Sequence, residues 1–364
     1  MTTPAERVAA LEGFDALAAA YAMRDDVNCQ WRVAARPVGN VKPTDFSWTE
    51  DPIPEPGPGE VLLKTLVLGV APVMRFYMQG TGAAGERVLE PGDVIHGRGV
   101  AEVVASNRDD VGVGEIWQGQ MGWQTYKVSR LTKQEKLFRI HNTDLPSELG
   151  AGVLGMTGLS AHAGYFACGE PKPGDRVLIS GAAGGVGSIV VQLARIAGAK
   201  QIVGVAGGPD KCAFIRDLGC DEAIDYMSDN IEARIAELFP DGIDLYFDNV
   251  GGETLAAVLE HLAMRGRVVL CGSISEYTRD EPFGLTNYTR LRRVDGRMTG
   301  FFVYNHIDRF QAVMDEMAGW IREGRLKPVQ DIEEGFERMP RALANLYFGA
   351  NVGVQCCRVR PSPL

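Results

Sequence analysis

The chain has 364 residues, too many for one ordinary domain, and 45% of them are hydrophobic against 23% charged. This composition is typical of a globular protein with sizeable cores. The formal net charge of -10 argues against a nucleic-acid partner, and no apolar run approaches the roughly 20 residues that cross a bilayer.

The first 25 residues predict a helical extension rather than an export signal, because charged residues interrupt them and no apolar core of a signal peptide is present. Thr3, Pro4 and Glu6 predict the start of the helix as a capping box with proline at the first helical position. Apolar residues recur on one face at Val8, Leu11, Phe14, Leu17 and Tyr21. We expect this face to pack on the body of the protein or on a partner subunit.

Residues 26–150 predict an irregular, β-rich domain. Strand-like runs occur at 61–70, 99–104 and 123–128, between segments rich in proline and glycine. The following 151–320 predict a second domain with a different texture, in which short apolar runs alternate with helical patterns from Pro171 onward. The last segment, 321–364, ends in a predicted helix at 340–347 and a strand at 353–359, and we expect it to return to the first domain.

The second domain predicts an α/β fold with a doubly wound parallel sheet, because strands and crossover helices alternate along it. Its predicted strands are 176–180, 201–206, 222–225, 243–248, 267–271 and 297–303. Its predicted helices are 185–197, 209–218, 231–239, 253–263 and 308–322.

A glycine-rich turn joins the first of these strands to the first helix. Its sequence is Gly181-Ala-Ala183-Gly184-Gly185-Val186-Gly187. Glycine at 181 and 184 permits a tight turn and a close approach of the backbone to a pyrophosphate, and Gly187 lets the helix lie close to the strand. Because the turn follows a strand and opens a helix in a βαβ unit, it predicts dinucleotide binding.

The second strand indicates which dinucleotide is bound. An NAD enzyme places a carboxylate there for the ribose hydroxyls, but this chain continues from Ala206 through Gly207 and has no acid before Asp210. Lys211, in the first turn of the next helix, is the natural cation for a 2′-phosphate. NADP(H) is therefore preferred over NAD(H).

The cysteines and histidines predict neither disulfides nor a catalytic metal. The seven cysteines are odd in number and scattered, as in a reduced cytoplasmic protein. The adjacent pair Cys356 and Cys357 is interpreted as part of a strand, with redox activity as the alternative. Zinc needs three converging ligands, and none of the five histidines is paired with cysteine at ligand spacing.

The chain resembles the zinc-independent medium-chain dehydrogenase/reductases, specifically the prostaglandin reductase and alkenal double-bond reductase group. The resemblance extends from about residue 28 to 359. It rests on the glycine turn and on five further motifs: Gly155-Met-Thr157-Gly-Leu-Ser-Ala161, Asp225-Tyr226, Tyr246-Phe-Asp-Asn249-Val-Gly-Gly-Glu253, Cys271-Gly-Ser273-Ile-Ser275 and Gly335-Phe-Glu-Arg-Met-Pro340.

The resemblance implies a GroES-like domain joined to a Rossmann domain, usually as a homodimer, with NADPH in the cleft between them. It implies that Lys211 and Tyr226 hold the 2′-phosphate and that Asn249 and Asn351 lie near the cofactor. The matching motifs add Thr157, Cys271 and Ser273 to the expected cofactor contacts.

Two positions depart from the family pattern. Relatives commonly have tyrosine where this chain has Val73, while Tyr77 follows four residues later. The lysine that is usual after the asparagine motif of residues 351–353 is Val354 here. Both changes bear on the substrate and leave the nucleotide motifs intact.

The implied reaction reduces the carbon–carbon double bond of an α,β-unsaturated ketone or aldehyde. It needs a donor for the developing oxyanion and a proton for the α-carbon. Tyr288 is the first candidate donor, with Tyr77 and Tyr304 as alternatives, and the cluster Arg290, Arg292 and Arg293 either meets an acidic substrate or is a solvated loop. Quinone reduction and a non-catalytic NADP-binding sensor are the alternative functions.

Overall fold

The structure, a computed structural model, describes residues 4–80, 88–279 and 281–362. Its helices are α1 (Pro4–Ala19), α2 (Val73–Met78), α3 (Met156–His162), α4 (Gly185–Ile196), α5 (Pro209–Leu218), α6 (Ile231–Leu238), α7 (Gly252–Glu260), α8 (Arg290–Arg293), α9 (Phe310–Arg322) and α10 (Met339–Phe348). Its strands are β1 (Asn28–Val33), β2 (Phe46–Asp51), β3 (Val61–Gly69), β4 (Arg98–Ser106), β5 (Ile116–Gln120), β6 (Tyr126–Ser129), β7 (Leu137–Arg139), β8 (Arg176–Ser180), β9 (Gln201–Ala206), β10 (Glu222–Asp225), β11 (Ile243–Asp248), β12 (Leu262–Leu270), β13 (Arg297–Gly300), β14 (Gln330–Glu334) and β15 (Val354–Arg358).

The chain divides into two compact units. Unit 1 comprises Met1–Met156 together with Gln330–Leu364, and unit 2 comprises Thr157–Val329. The chain thus leaves unit 1 once, forms unit 2 without interruption, and then returns.

Unit 2 is built on a six-stranded parallel sheet in the order β10-β9-β8-β11-β12-β13. This is the strand order of dinucleotide-binding doubly wound sheets, whose order reverses beside the first strand. The predicted α/β fold is therefore confirmed. Four predicted strands coincide with β8, β9, β10 and β11. The interior strands β8 and β9 are near-continuous apolar runs, as expected of buried parallel strands.

Unit 1 contains a sheet in the order β14-β15-β3-β4-β5-β7, with β6 also paired to β3, and a separate β1-β2 hairpin. The last strand, β15, lies antiparallel to β3, with Cys356 opposite Gly69 and Cys357 opposite Leu68. The large side chains of Trp31, Trp123 and Phe336 are fully buried in its core.

Helix α1 packs against the rest of unit 1. The Phe14 ring is 2% exposed and meets Phe46 edge-on at 6.2 Å, while Tyr21, just beyond the helix, stacks on Trp48 at 5.1 Å. Asp15 on the helix forms an ion pair with Arg341 of α10, with 2.7 Å between Oδ1 and Nε. The expectation that this face packs on the body of the protein is confirmed for the described side chains. Thr3 and the side chains of Pro4, Glu6 and Val8 lie outside them.

Several predicted boundaries were wrong, mostly in unit 1. The sequence did not predict β1, β2, β5, β7 or β14, and the predicted strand at 123–128 begins only at Tyr126. These strands are only three to six residues long, so local periodicity carries little signal. In unit 2, β13 ends at Gly300 rather than 303, and a 3₁₀ segment, Val303–Arg309, precedes α9.

Candidate functional site

The glycine turn lies at the carboxyl end of β8, where ligands of open α/β sheets bind. Gly181 has φ of +59°, a left-handed conformation that favours glycine. A Cβ atom on Gly187 would lie 2.1 Å from the carbonyl oxygen of Gly181. The turn therefore closes on itself so tightly that residue 187 has no room for a side chain.

The start of α4 offers unpaired donors at this turn. The first helical hydrogen bond runs from the Ser188 N–H to the Gly184 oxygen at 2.9 Å. Within the described residues, the backbone N–H groups of Gly185, Val186 and Gly187 donate to no protein acceptor. Together with the positive end of the helix dipole, they form a site suited to the phosphates of a dinucleotide.

The ends of β9 and β10 form a neighbouring corner. The ring of Tyr226 covers Gly207 so closely that a Cβ there would lie 2.6 Å from the tyrosine Oη. Tyr226 is 41% exposed, and its N–H donates to the Ala206 oxygen at 3.1 Å. Lys211 lies in the first turn of α5, which begins two residues after Gly207. An aromatic hydroxyl and an ammonium thus belong to the same corner, next to the glycine turn of β8.

Asp225 joins the two segments of this corner. Its Oδ1 accepts the N–H of Gly208 at 2.7 Å and the N–H of Met227 at 3.0 Å. Burial raises the pKa of the Asp225 carboxyl, but the bonds from Gly208, Met227 and Ser228 more than offset this and hold it below its ordinary value. The carboxylate is therefore engaged by backbone donors.

Asn249 follows β11 at the same edge of the sheet. Its side-chain Nδ2 donates to the Ser180 carbonyl at 2.7 Å, and its backbone N–H donates to the Ser180 Oγ at 2.9 Å. The Cβ of Asn249 lies 3.4 Å from the position that a Cβ on Gly181 would occupy. The structure therefore brings Asn249 to the glycine turn.

Behind Asn249 lies a buried carboxyl group, Asp248. Its Oδ1 is approached by the hydroxyls of Tyr246 (2.7 Å) and Ser180 (3.0 Å) and by the N–H groups of Val250 (3.0 Å) and Gly251 (2.9 Å). Its Oδ2 has no hydrogen-bond partner among the described residues. Burial raises the pKa of Asp248 despite these donors. This group fixes the turn from which Asn249 projects.

The segment after β12 is hydrogen-bonded to the same turn. The N–H of Cys271 donates to the main-chain carbonyl oxygen of Asp248 at 2.9 Å, and the N–H of Ser275 donates to that of Val250 at 3.1 Å. A cavity of about 360 Å³ opens beside this segment, with Ser273 and Tyr277 in its wall. Cys271 and Ser273, two predicted cofactor contacts, thus lie at the carboxyl edge with Asn249.

Tyr288 does not lie at this edge. Its neighbour Asn287 donates through Nδ2 to the Ala256 oxygen and to the carboxylate of Glu260, at 2.9 and 2.8 Å. Glu260 is the last residue of α7, which starts at the carboxyl edge and runs back along the sheet. The Tyr288 side chain is 59% exposed. The structure therefore places this predicted donor toward the opposite end of the sheet from the glycine turn.

The basic residues near Tyr288 are partly paired. Arg290 forms an ion pair with Glu260, whereas Arg292 and Arg293 are exposed and have no ion-pair partner among the described residues. This arrangement agrees with the solvated-loop interpretation of the cluster.

The remaining predicted residues belong to different elements. Thr157 lies in α3, at the start of unit 2. In unit 1, Tyr77 of α2 is 6% exposed, and its ring meets His96 edge-on at 5.2 Å. His96 lines a cavity of about 370 Å³ together with Gln124 and Lys127. Asn351 is buried in unit 1 and donates to the Gly353 oxygen at 3.0 Å.

The vicinal cysteines are ordinary strand residues, as interpreted from the sequence. Both Cys356 and Cys357 are fully buried in β15. Burial raises the pKa of Cys356 to about 12 and that of Cys357 well above its ordinary value. Across the described part of the chain, no three His, Cys, Asp or Glu side chains are grouped to hold a metal ion, and no helix is long and apolar enough to cross a membrane.

Sequence reasoning did not assign roles to Ser180, Tyr246, Asp248 and Tyr277. The first three form the hydrogen-bonded support of Asn249, and the fourth lines the cavity next to Ser273. A polar residue at the last position of an apolar strand is a signal that could have indicated Ser180 and Asp248. Tyr246 and Tyr277 carry no such signal.

Comparison with known proteins identifies relatives over almost the whole chain. A family described as "Zinc-binding dehydrogenase" matches residues 185–319, and a family described as "N-terminal domain of oxidoreductase" matches residues 29–140. The chain is 36% identical to the 2-alkenal reductase (NADP(+)-dependent) of Nicotiana tabacum, over 84% of this chain and 89% of that protein. It is 34% identical to the NADPH-dependent curcumin reductase of Escherichia coli, over 91% of this chain and 97% of that protein.

Among solved structures, the chain is similar to CurA from Vibrio vulnificus in complex with NADPH. The two share 32% sequence identity and a TM-score of 0.85, and the match covers 92% of this chain and all of that one.

Proposed function

The chain belongs to the alkenal and enone reductase group of the medium-chain dehydrogenase/reductases, a GroES-like plus Rossmann fold, and on this premise we propose that it is an NADP-dependent oxidoreductase that reduces the carbon–carbon double bond of α,β-unsaturated ketones and aldehydes. The observation that carries this proposal is the cluster at the carboxyl edge of the unit 2 sheet. There, the closed glycine turn, Asn249 and the corner of Tyr226 and Lys211 lie at the ends of adjacent strands.

The described residues fit NADP(H). The unpaired N–H groups at the start of α4 suit the pyrophosphate, and residue 187 has no room for a side chain. Lys211 and Tyr226 suit a 2′-phosphate, since no carboxylate faces the ribose from the end of β9. Thr157, Gly207, Cys271, Ser273 and Asn351 remain proposed cofactor contacts. When bound, the cofactor supplies the hydride.

The protein's own contribution is to hold the cofactor and to stabilise charge on the substrate oxygen. Ser180 contributes to this indirectly, because it accepts two hydrogen bonds from Asn249, and Asp248 in turn accepts the Ser180 hydroxyl. For the proton donor, we retain Tyr77 as the candidate and place Tyr288 second, since Tyr288 lies toward the opposite end of the sheet.

The test is a measurement of NADPH oxidation with matched substrates. We expect α,β-unsaturated ketones and aldehydes to accelerate it, their saturated counterparts to be inert, and the product to retain its carbonyl group. Acceleration by quinones alone would support the alternative of a quinone reductase. NADPH binding without acceleration by any of these compounds would support a non-catalytic sensor.

Two substitutions test the donor. Tyr77→Phe removes one hydroxyl and should lower kcat by about 10²–10⁴-fold if that group supplies the proton. Tyr288→Phe is the matched control and should leave the rate unchanged. The reverse pattern would assign the role to Tyr288.

We also propose that the protein is a cytoplasmic homodimer. The seven cysteines are all free, as expected of a reducing compartment. Light scattering of the purified protein would give its mass, and a monomer would contradict the second part of the proposal.

A further inference from the structure

Strand β10 is held to β9 by an aspartate at each of its ends. At the amino end, Oδ2 of Asp221 accepts the N–H of Ile202 at 2.8 Å. At the carboxyl end, Oδ1 of Asp225 accepts the N–H of Gly208 at 2.7 Å. The two contacts use the same chemistry on the same pair of strands, but only the second lies at the edge that carries the glycine turn.

The Asp225 carboxylate restrains Gly208, whose backbone is conformationally permissive because it has no side chain. Gly208 has φ of +86° and is the last residue before α5. Its rotation would carry the first turn of α5, and with it Lys211, away from β10. The bond from Gly208 to Asp225 fixes that rotation, and the Gly208 oxygen in turn accepts the N–H of Cys212 at 3.1 Å.

Asp225 also fixes the other side of the corner. The same Oδ1 accepts the N–H of Met227, so the backbone on both sides of Tyr226 is restrained. The Tyr226 ring is thereby held over Gly207. One carboxylate oxygen thus determines the spacing between the tyrosine hydroxyl and the helix that bears Lys211.

We propose that Asp225 is a positioning residue for the 2′-phosphate, setting the preference of this enzyme for NADPH over NADH by holding Gly208 and Tyr226 in one arrangement. The inference rests on the proposed function, since it assumes that Lys211 and Tyr226 contact that phosphate. The Asp225 carboxylate accepts hydrogen bonds from the N–H groups of Gly208 and Met227, which explains how an acid is tolerated at a site for an anion.

The experiment measures the dissociation constants of NADPH and NADH for the full-length protein and its variants. Asp225→Ala should weaken NADPH binding by about tenfold or more, the value of a hydrogen bond to a charged group, and change NADH binding by less than about twofold. Asp221→Ala is the matched control. It should lower the melting temperature and leave the ratio of the two constants unchanged. An unchanged ratio in Asp225→Ala, or equal losses for both cofactors, would overturn the proposal.

A second pair of variants separates position from charge and remains informative if the alanine variant does not fold. Asp225→Asn keeps an acceptor oxygen in place and should retain most of the NADPH preference. Asp225→Glu keeps the charge but moves the carboxylate by one methylene and should lose it. The opposite pattern would show that charge alone matters and would overturn the proposal.

Lys211→Ala distinguishes the two levels of inference. If it leaves the ratio unchanged, the assignment of the 2′-phosphate to this corner is wrong. If it abolishes the preference while Asp225→Ala does not, only the role of Asp225 is wrong. If both abolish it, Asp225→Ala should add little in the Lys211→Ala background, because the two residues act through one contact.

Discussion

Arg267 and Asp175 form a buried ion pair in unit 2, with Nη2 of Arg267 2.6 Å from Oδ1 of Asp175 and both side chains less than a tenth exposed. The same guanidinium donates to the carbonyl oxygen of Glu170 at 2.6 Å. It therefore ties the second half of β12 to the segment that enters β8.

Arg267→Met should destabilise unit 2 by about 3–5 kcal/mol, because it leaves the Asp175 carboxylate buried without its partner. Chemical denaturation followed by circular dichroism measures this loss. The control is Arg265→Met, two residues away, where the ion pair with Asp295 is exposed on both sides. Exposed pairs contribute little, so this variant should unfold like the wild type. Equal losses in the two variants would contradict the assigned role of burial.

Gly187→Ala should weaken NADPH binding by about tenfold or more, because the new methyl group would lie 2.1 Å from the Gly181 oxygen and must open the turn. Isothermal titration calorimetry measures the effect. Gly319→Ala, in α9, is the matched control, since no atom lies within 4 Å of its new Cβ. That variant should bind NADPH normally and gain about 0.5–1 kcal/mol of stability.

His162 should make unit 2 less stable in mild acid. Burial lowers the pKa of His162 below its ordinary value, although its hydrogen bond to Glu316, at 2.9 Å, opposes the shift. The unfolded chain therefore binds the proton more readily than the folded one. The contribution of neutral His162 to the free energy of unfolding is present above about pH 6.5 and is lost as pH falls through the folded pKa.

The measurement is the free energy of unfolding as a function of pH in wild type and in His162→Gln. The wild type should lose more stability than the variant between about pH 7 and pH 5. The same substitution at exposed His141 serves as the control. Parallel curves for wild type and His162→Gln would rule out a contribution from this histidine.

Phe14→Ala should destabilise unit 1 by about 3 kcal/mol, because the ring is buried between α1 and the β1-β2 hairpin, where it meets Phe46. Thermal unfolding measures the loss. Glu12→Ala, on the exposed side of the same helix, should change stability by less than about 0.5 kcal/mol. If Phe14→Ala were as stable as the wild type, the helix would not be part of the core of unit 1.

The sequence predicted the site residues that lie at the ends of buried strands, because the apolar strand pattern also fixes where those ends are. In unit 2, the glycine turn and Asn249 follow directly from buried strands, and Lys211 lies in the first turn of the helix after another, so the strand pattern placed all three at one edge. Unit 1 offered no such pattern, since its strands β5 and β7 have only five and three residues.

Tyr288 shows why proximity to a strand in sequence was not enough. It precedes β13 by nine residues, but a parallel strand begins at the edge opposite to the one where its predecessor ends. The segment between β12 and β13 must therefore run back along α7, and the contacts of Asn287 with that helix show that it does. The support of Asn249 by Ser180 and Asp248 was missed for a different reason, because it depends on the register of two strands that are 68 residues apart.

The return of the chain to unit 1 has a consequence for synthesis on the ribosome. Unit 2 is contiguous, so all six strands of its sheet have been translated by Gly300. Unit 1 begins earlier, and β3 can pair with β4 and β6 at once, but its third partner β15 is missing until Val354–Arg358 has emerged. The last strand of the unit 1 sheet is therefore translated after the whole of unit 2, so we expect the amino-terminal unit to be completed second, contrary to the usual order.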